Sequence, residues 1–266
     1  MNVHVSFQSV LCEISSIVFF LATQVLDKMD KLYKQIQLLP DKPENYSDPK
    51  NVYQLPFPSV NATPRHFSLS DDETFSYMGR ECFIKVWEEF LKVLFNPLYR
   101  QAIYVYGGKG FGKSHIFAAL ACLLIRQNYP VVYIPDCRGM LCNPLRYLVT
   151  AFRFAFISSP SIREQIERCD TYEDLADFCE DYRVEGGKLC FIVDQQNALD
   201  PEPLARDNVP NSMKVELMTL LQRLTDGHIE ITSASANHKT FMHMAAKDTD
   251  EQKVPLMGGM SKVRRA

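Results

Sequence analysis

The sequence has no excess of basic residues. Its 266 residues contain 29 Lys and Arg against 32 Asp and Glu, which gives a net charge of -3 at pH 7. Proteins that hold nucleic acid through its phosphates usually carry a basic field, and this chain as a whole has none. The short basic run at residues 262–265 is more typical of a solvated surface. The composition, 46% hydrophobic and 23% charged, is that of an ordinary globular protein with no clear nucleic-acid site.

The eight cysteines contain no C-x-x-C pair. Cys137 and Cys142 are five positions apart without a second pair, and the histidines lack zinc-ligand spacing. Several cysteines, such as Cys122 and Cys190, lie inside apolar runs, where a thiol behaves as a small buried hydrophobe. We therefore expect reduced thiols and no structural metal cluster.

The chain also lacks an apolar run long enough to cross a bilayer. Its richest run, residues 17–22, is short, follows Glu13, and has no Lys or Arg before it, which gives little support to a secretory signal. Apolar residues between Val10 and Leu39 recur at helical spacing and predict an N-terminal amphipathic helix over residues 1–39. We expect this helix to pack on the rest of the chain or on a partner, and we expect a cytoplasmic or nuclear protein with no membrane span.

Glycine is scarce except in one stretch. Four of the 11 glycines fall between residues 107 and 112, and Gly107 to Ser114 match the pattern G-x-x-x-x-G-K-[ST]. Such a loop turns where a Cβ would block it, and its N–H groups and the following helix point positive partial charge at a phosphate. Lys113 would reach the β- and γ-phosphates, and the Ser114 hydroxyl would bind Mg²⁺. The predicted nucleotide-binding residues are Gly107, Gly108, Lys109, Gly110, Phe111, Gly112, Lys113, Ser114 and His115.

Both flanks of this loop favour a phosphate site over a chance glycine-rich turn. Residues 103–106 are typical of a buried strand, and residues 116–125 are typical of a helix that is apolar on nearly all sides. The segment before them, Phe75 to Arg80, either lines an adenine pocket or forms a simple turn.

A second candidate stretch ends in an acid. Residues 189–193 are apolar and lead to Asp194, where a phosphate-loop protein needs a carboxylate to bind Mg²⁺ together with Ser114. Gln195 follows, where many hydrolysing proteins have Glu; a glutamine can orient water but is a poor proton acceptor. A later strand, residues 229–237, brings Ser235 or Asn237 to the γ-phosphate or is an ordinary strand-to-loop transition. The catalytic candidates are Lys113, Asp194, Gln195 and Asn237.

Strands near residues 103, 131, 189 and 229 alternate with helices. This order predicts an α/β fold, a three-layer α/β/α P-loop NTPase with a mostly parallel sheet. The long insertion before Asp194 favours the additional-strand type, in which the acid-tipped strand is not adjacent to the loop strand. Residues 71–266 form this domain, and the proline-rich residues 40–70 form a linker without regular structure that covers the core. Residues 253–260 add a short strand-like piece, and with no room for a fifth strand, a helical lid and an arginine finger together, we expect a C-terminally incomplete domain.

Four stretches together resemble the P-loop NTPase region of Crinkler-type effector proteins of fungi and oomycetes. They are residues 107–115, the strand into Asp136 and Cys137, residues 191–199, and residues 257–261. The resemblance covers roughly residues 70 to 262, and its most specific part is the D-Q-x-N-A-L stretch that begins at Asp194. It implies ATP and Mg²⁺ as cofactors, Asp194 as a Mg²⁺ ligand, Gln195 as a family feature, and secretion into a host cell as the alternative location. The N-terminal translocation motif and the C-terminal effector domain of that family are not seen in this chain.

Several functions remain open from the sequence. The first is ATP hydrolysis coupled to a conformational change or to rearrangement of a homo-oligomer. The second is a nucleotide-gated interaction module that binds a protein partner and hydrolyses little or nothing. A truncated fragment of a longer effector, and a kinase that acts on a small molecule, are also compatible with these residues.

Overall fold

The N-terminal helix packs on the core. The structure, a computed structural model, describes residues 23–96, 101–108, 110–201, 208–234 and 252–256. Helix α1 runs over residues 23–37, and its Met29, Leu32 and Ile36 are buried in the main hydrophobic cluster. The predicted helix is confirmed for these residues, and the rest of the 1–39 prediction lies outside the described ones. The spacing of three and four residues places the buried side chains on one face.

The prediction that residues 40–70 lack regular structure is wrong. They contain helix α2, Pro43–Ser47, and strand β1, Val52–Pro56, which pairs antiparallel with strand β2, Thr74–Met78. The prolines permit this because Pro43 stands in the first turn of α2, where its missing N–H is not needed, and Pro56 stands at the end of β1. The segment does cover the core, since Tyr46, Leu55, Phe57 and Phe67 are buried. The domain boundaries at residues 39 and 70 stay a prediction.

A five-stranded parallel sheet forms the centre of the protein. Its strands are β3, Ala102–Tyr106, β4, Val131–Ile134, β5, Cys190–Val193, β6, Ile229–Ser233, and β7, Gln252–Pro255. They lie in the order β4-β5-β6-β3-β7, and every pairing is parallel. The predicted α/β fold with a parallel sheet is confirmed. The short piece near residue 253 is the fifth strand, which corrects the four-strand count, and β6 separates the Asp194 strand from the loop strand, as predicted.

Helices precede β3 and link β3 to β4, β4 to β5, and β5 to β6. Before the sheet comes α3, Glu81–Phe95; α4, Lys113–Arg126, follows β3; and α5, Cys137–Met140, α6, Pro144–Ala155, α7, Pro160–Glu167, and α8, Tyr172–Val184, lie between β4 and β5. A 3₁₀ turn, Gln196–Leu199, and α9, Asn211–Thr225, lie between β5 and β6. The N-terminus of α8 is well defined, because Thr171 and Asp174 form a reciprocal capping box there.

Both faces of the sheet are covered, which makes three layers. Tyr133, Ile192 and Ile231 pack in one cluster with α3 and α4, whereas Val132 and Phe191 pack in a second cluster with α6, α8 and α9. Alternate residues of a strand point to opposite faces, so strands buried on both sides read as continuous apolar runs. Because the strands are parallel, the carboxyl ends of β3, β4, β5 and β6 lie along the same edge of the sheet.

A buried histidine fixes the start of β6. His228 is 1% exposed; its Nδ1 accepts from the Leu189 N–H at 3.2 Å, so the ring is neutral and its Nε2 donates to the Cys179 carbonyl at 3.0 Å. Burial lowers the pKa of His228; the hydrogen bond to the Cys179 carbonyl and the Asp226 charge act in the opposite direction, and the Arg183 and Lys188 charges lower it further. Protonation at Nδ1 would remove the acceptor that Leu189 uses.

We expect His228 to make the protein less stable in mild acid. Its pKa is lower in the folded state than in the unfolded chain, so the unfolded chain takes up more protons as the pH falls below the ordinary histidine value of about 6.5. The stability from neutral His228 is present above that value and is lost as the pH falls through the folded pKa. Melting temperatures from pH 8 to pH 5.5 should therefore fall less steeply in His228→Asn than in the wild type. The exposed His66→Asn is the control, and equal slopes in all three proteins would contradict the assignment.

Candidate functional site

The glycine-rich loop joins β3 to α4. Gly110 and Gly112 have positive φ angles of 82° and 79°, a conformation that side chains with a Cβ rarely adopt. Gly112 is also the residue that caps α4, and a Cβ there would lie 2.4 Å from Nη1 of Arg80. The loop therefore needs glycine at Gly112 for its turn, whereas the flexible Arg80 side chain could move away from a Cβ.

Lys113 is curled back into the loop. Its Nζ donates to the carbonyls of Gly107 at 2.9 Å and Gly108 at 3.2 Å, and the residue is 7% exposed. Burial lowers the pKa of Lys113, while the nearby Asp194 carboxylate acts in the opposite direction. The ammonium group thus lies inside the loop, within electrostatic range of Asp194.

The first turn of α4 offers backbone donors to the loop. The N–H of Ile116 donates to the carbonyl of the capping residue, Gly112, at 3.0 Å. This is the first hydrogen bond of the helix. The N–H groups of Lys113, Ser114 and His115 precede it and have no acceptor within the helix. With the helix dipole they form a positive end that is suited to an anion.

Three other predicted nucleotide-binding residues are Lys109, Phe111 and His115. Lys109 lies outside the described residues. The Phe111 ring packs against Gly108, where a Cβ would lie 2.4 Å from it. The His115 ring stacks on Phe67 at 4.7 Å, and burial, with smaller effects of Arg80 and His66, lowers its pKa to about 4. The part of His115 that can serve a phosphate is therefore its backbone N–H.

Asp194 stands immediately after β5 and is fully buried. Its Oδ1 accepts hydrogen bonds from the Ser233 hydroxyl and from the Gln195 N–H, the latter at 2.9 Å. Burial raises the pKa of Asp194, and the Ser114 and Ser233 hydroxyls and the Gln195 N–H partly offset this by donating toward the carboxylate. No described residue makes a hydrogen bond of normal geometry to Oδ2.

This arrangement fits a magnesium ion. A buried carboxylate oxygen without a partner is costly unless a cation or a water molecule satisfies it. Ser114 and Asp194 provide hard oxygen ligands, which Mg²⁺ prefers, and the phosphate loop lies beside them. The described residues could therefore hold Mg²⁺ through Asp194 Oδ2 and the Ser114 hydroxyl.

Gln195 has a strained backbone. Its φ of 58° places it in the left-handed region, which costs a residue with a side chain about 1 kcal/mol. This conformation turns the chain sharply after β5, so that the Gln195 N–H returns to the Asp194 carboxylate. Its side chain is half-buried beside the acid.

One residue at the site was missed by sequence reasoning. Ser233 donates to Asp194, whereas the predicted Asn237 and its alternative Ser235 lie outside the described residues. Arg80, the last residue of the segment predicted to line an adenine pocket or to form a turn, donates from Nη1 to the Phe111 carbonyl at 3.0 Å. The segment before Arg80 is strand β2 rather than a turn, and its aromatic side chains are buried in the core.

Comparison with known proteins adds little. No family model matches the sequence, and no curated protein matches it. Among solved structures, the Aeropyrum pernix ORC2 protein, in ADPNP–ADP complexes, is similar at 16% identity with a TM-score of 0.38. The match covers 75% of this chain and 51% of that one, so the chain spans about half the length of ORC2. A TM-score this low does not establish a shared fold.

The resemblance to Crinkler-type proteins stays a prediction, because none of these matches bears on it. The architecture itself is an α/β fold with a five-stranded parallel sheet. Among the described residues, no helix combines the length and the apolar character that crossing a membrane requires.

Proposed function

We propose that this chain binds ATP with Mg²⁺ at the loop of residues 107–114. The observation that carries the proposal is that Lys113 and Asp194, both buried, lie at the same edge of the sheet, where the Asp194 carboxylate acts on the Lys113 ammonium. A buried ammonium, an acid with one unpartnered oxygen, and the free N–H groups of α4 together make a site for a phosphate chain and its cation. Adenine as the base is the expectation from the Crinkler resemblance.

The strand order supports a P-loop NTPase of the additional-strand type. In that group one strand lies between the loop strand and the acid-tipped strand, and β6 occupies this place here. The consequence is chemical, because the intervening strand brings its own polar residue, Ser233, against Asp194. Ser233 would then orient the acid toward the cation.

Each residue has a defined task in this proposal. The Lys113 ammonium exchanges the carbonyls of Gly107 and Gly108 for phosphate oxygens, while the N–H groups of the first turn of α4 hold the phosphate chain. The Ser114 hydroxyl and the Asp194 carboxylate hold Mg²⁺. When bound, Mg²⁺ would neutralise negative charge on the phosphate chain. Gln195 positions water near the γ-phosphate.

We further propose slow hydrolysis that is coupled to a conformational change. The amide of Gln195 orients water but does not take its proton, which limits the rate. The same residue favours the second candidate, a nucleotide-gated interaction module in which binding alone orders a surface for a protein partner or a second copy of the chain.

Phosphate release separates the two candidates. We expect the purified chain to release phosphate from ATP at a steady rate that exceeds those of Lys113→Ala and Asp194→Ala by at least about tenfold. Tight ATP binding without release above these variants would exclude hydrolysis and leave the interaction module. If ATP and Mg²⁺ do not raise the melting temperature either, both candidates fail.

A further inference from the structure

Tyr133 carries a buried hydroxyl that the proposed function does not use. The side chain lies in β4 and is 2% exposed, and its hydroxyl has no hydrogen-bond partner among the described residues. Other tyrosines in the same cluster are paired: Tyr77 donates to the Tyr46 carbonyl and Tyr46 to the Pro40 carbonyl, both at 2.9 Å. A phenylalanine at Tyr133 would fill the same space without the cost of an unpaired polar group.

The register of the sheet places Tyr133 on the same face as Asp194. Tyr133 is directly opposite Ile192 in the β4–β5 pairing, and Asp194 is two residues beyond Ile192, where the chain returns to the same face. Tyr133 and Ile192 both pack in the cluster that contains α4, the helix that begins with Lys113 and Ser114. Burial raises the pKa of Tyr133, and Asp194, Tyr147 and Cys122 raise it further, so the hydroxyl lies within the electrostatic range of the acid and of these two groups.

The two groups are chemically complementary. The Tyr133 hydroxyl is a donor without an acceptor among the described residues, and Asp194 Oδ2 is an acceptor without a donor among them. Buried water is retained where two to four polar groups can bind it. The Ser114 hydroxyl, which also acts on Asp194, is a third such group.

We propose that Tyr133 is a positioning residue of the cation site. Its hydroxyl would hold a water molecule that bridges to Asp194 Oδ2. Tyr133 would thereby keep the carboxylate in the orientation that binds the cation. This inference rests on the proposed binding of ATP with Mg²⁺.

Tyr147 provides a matched control. Its hydroxyl is also buried and has no hydrogen bond of normal geometry to a described residue. It packs in the second cluster, where burial and the Cys137 and Asp136 charges raise its pKa and a contact with the Asp136 backbone lowers it. Tyr147 also acts on Tyr133, but Asp194 is not among the groups that shift its pKa. Tyr147→Phe therefore removes an equally buried hydroxyl that faces a different acid.

The test compares Tyr133→Phe, Tyr147→Phe and the wild type as full chains. ATP binding is titrated with Mg²⁺ and, separately, in EDTA, and melting temperatures are measured without ligand. We expect Tyr133→Phe to need about fivefold more Mg²⁺ for half-maximal effect, the factor for one lost hydrogen bond. Its ATP affinity in EDTA and its unliganded melting temperature should equal or exceed those of the wild type, and Tyr147→Phe should match the wild type in its Mg²⁺ requirement.

Two results would overturn the inference alone. In one, Tyr133→Phe needs no more Mg²⁺ than a wild type that binds ATP. In the other, Tyr133→Phe melts at a lower temperature and loses ATP affinity in EDTA as well, which would mean a packing role. If the wild type binds no ATP with or without Mg²⁺, the proposed function fails and this inference fails with it.

Discussion

Replacing Lys113 with alanine is expected to weaken ATP binding by roughly 10- to 100-fold. Hydrogen bonds to a charged group contribute about 1.5–3 kcal/mol, and each 1.4 kcal/mol is a factor of about ten in affinity. Lys113 already lies inside the loop and donates to two carbonyls that phosphate oxygens would replace. Because its side chain moves little when ATP binds, little of its contribution to the binding free energy is lost to reorganisation. Because alanine is uncharged, the Lys113→Ala variant has no unpaired buried charge at position 113.

Titration calorimetry with ATP and Mg²⁺ measures this loss. Lys28→Ala is the control, because Lys28 is an exposed lysine that pairs with Glu73 at 2.6 Å on the surface. Pairs of this kind contribute little. The control should bind ATP as the wild type does, and a Lys113→Ala protein whose affinity stays within about twofold of the wild type would refute the assigned role of the lysine.

Asp194→Asn is expected to abolish the effect of Mg²⁺ and to reduce phosphate release by about 100-fold or more. Asparagine keeps the shape of the side chain and an oxygen that can accept from Ser233 and Gln195. It lacks the charge that binds the cation. The carboxylate is fully buried, and its burial is unfavourable in the free protein. The unliganded variant should therefore be as stable as the wild type or more stable.

The matched control for this change is Asp136→Asn, one strand away at the same edge. Asp136 accepts from the Arg138 N–H at 2.9 Å and caps α5. We expect the control to keep both its dependence on Mg²⁺ and its stability, because asparagine caps a helix about as well as aspartate. If Asp194→Asn still responds to Mg²⁺, or if it melts well below Asp136→Asn, the acid has a structural role instead.

The parts of the site that sequence predicted are local in the chain. The loop is an eight-residue pattern between a strand and a helix, and Asp194 follows directly from a buried apolar run, so neighbouring residues identify both. Ser233 contacts the acid through the pairing of β5 with β6, and the pairing of β5 with β4 places Tyr133 on the same face of the sheet. That pairing depends on residues far apart in sequence, so periodicity does not reveal it.

The prediction for the proline-rich residues 40–70 was wrong because proline does not disrupt regular structure at every position of a helix or strand. Proline disfavours helix interiors and central strands, but Pro43 stands in the first turn of a helix and Pro56 at the end of a two-stranded sheet. Both positions tolerate proline because no hydrogen bond of the element needs its N–H. Tyr46, the buried aromatic residue between them, was the better guide to a packed segment.

The most direct test of nucleotide binding at this loop is a calorimetric titration of the wild-type chain with ATP, in Mg²⁺ and in EDTA. We expect saturable binding at one site with a dissociation constant below about 1 mM, tighter in Mg²⁺ than in EDTA. Binding that is absent in both buffers, or equal in both and unchanged in Lys113→Ala, would contradict it.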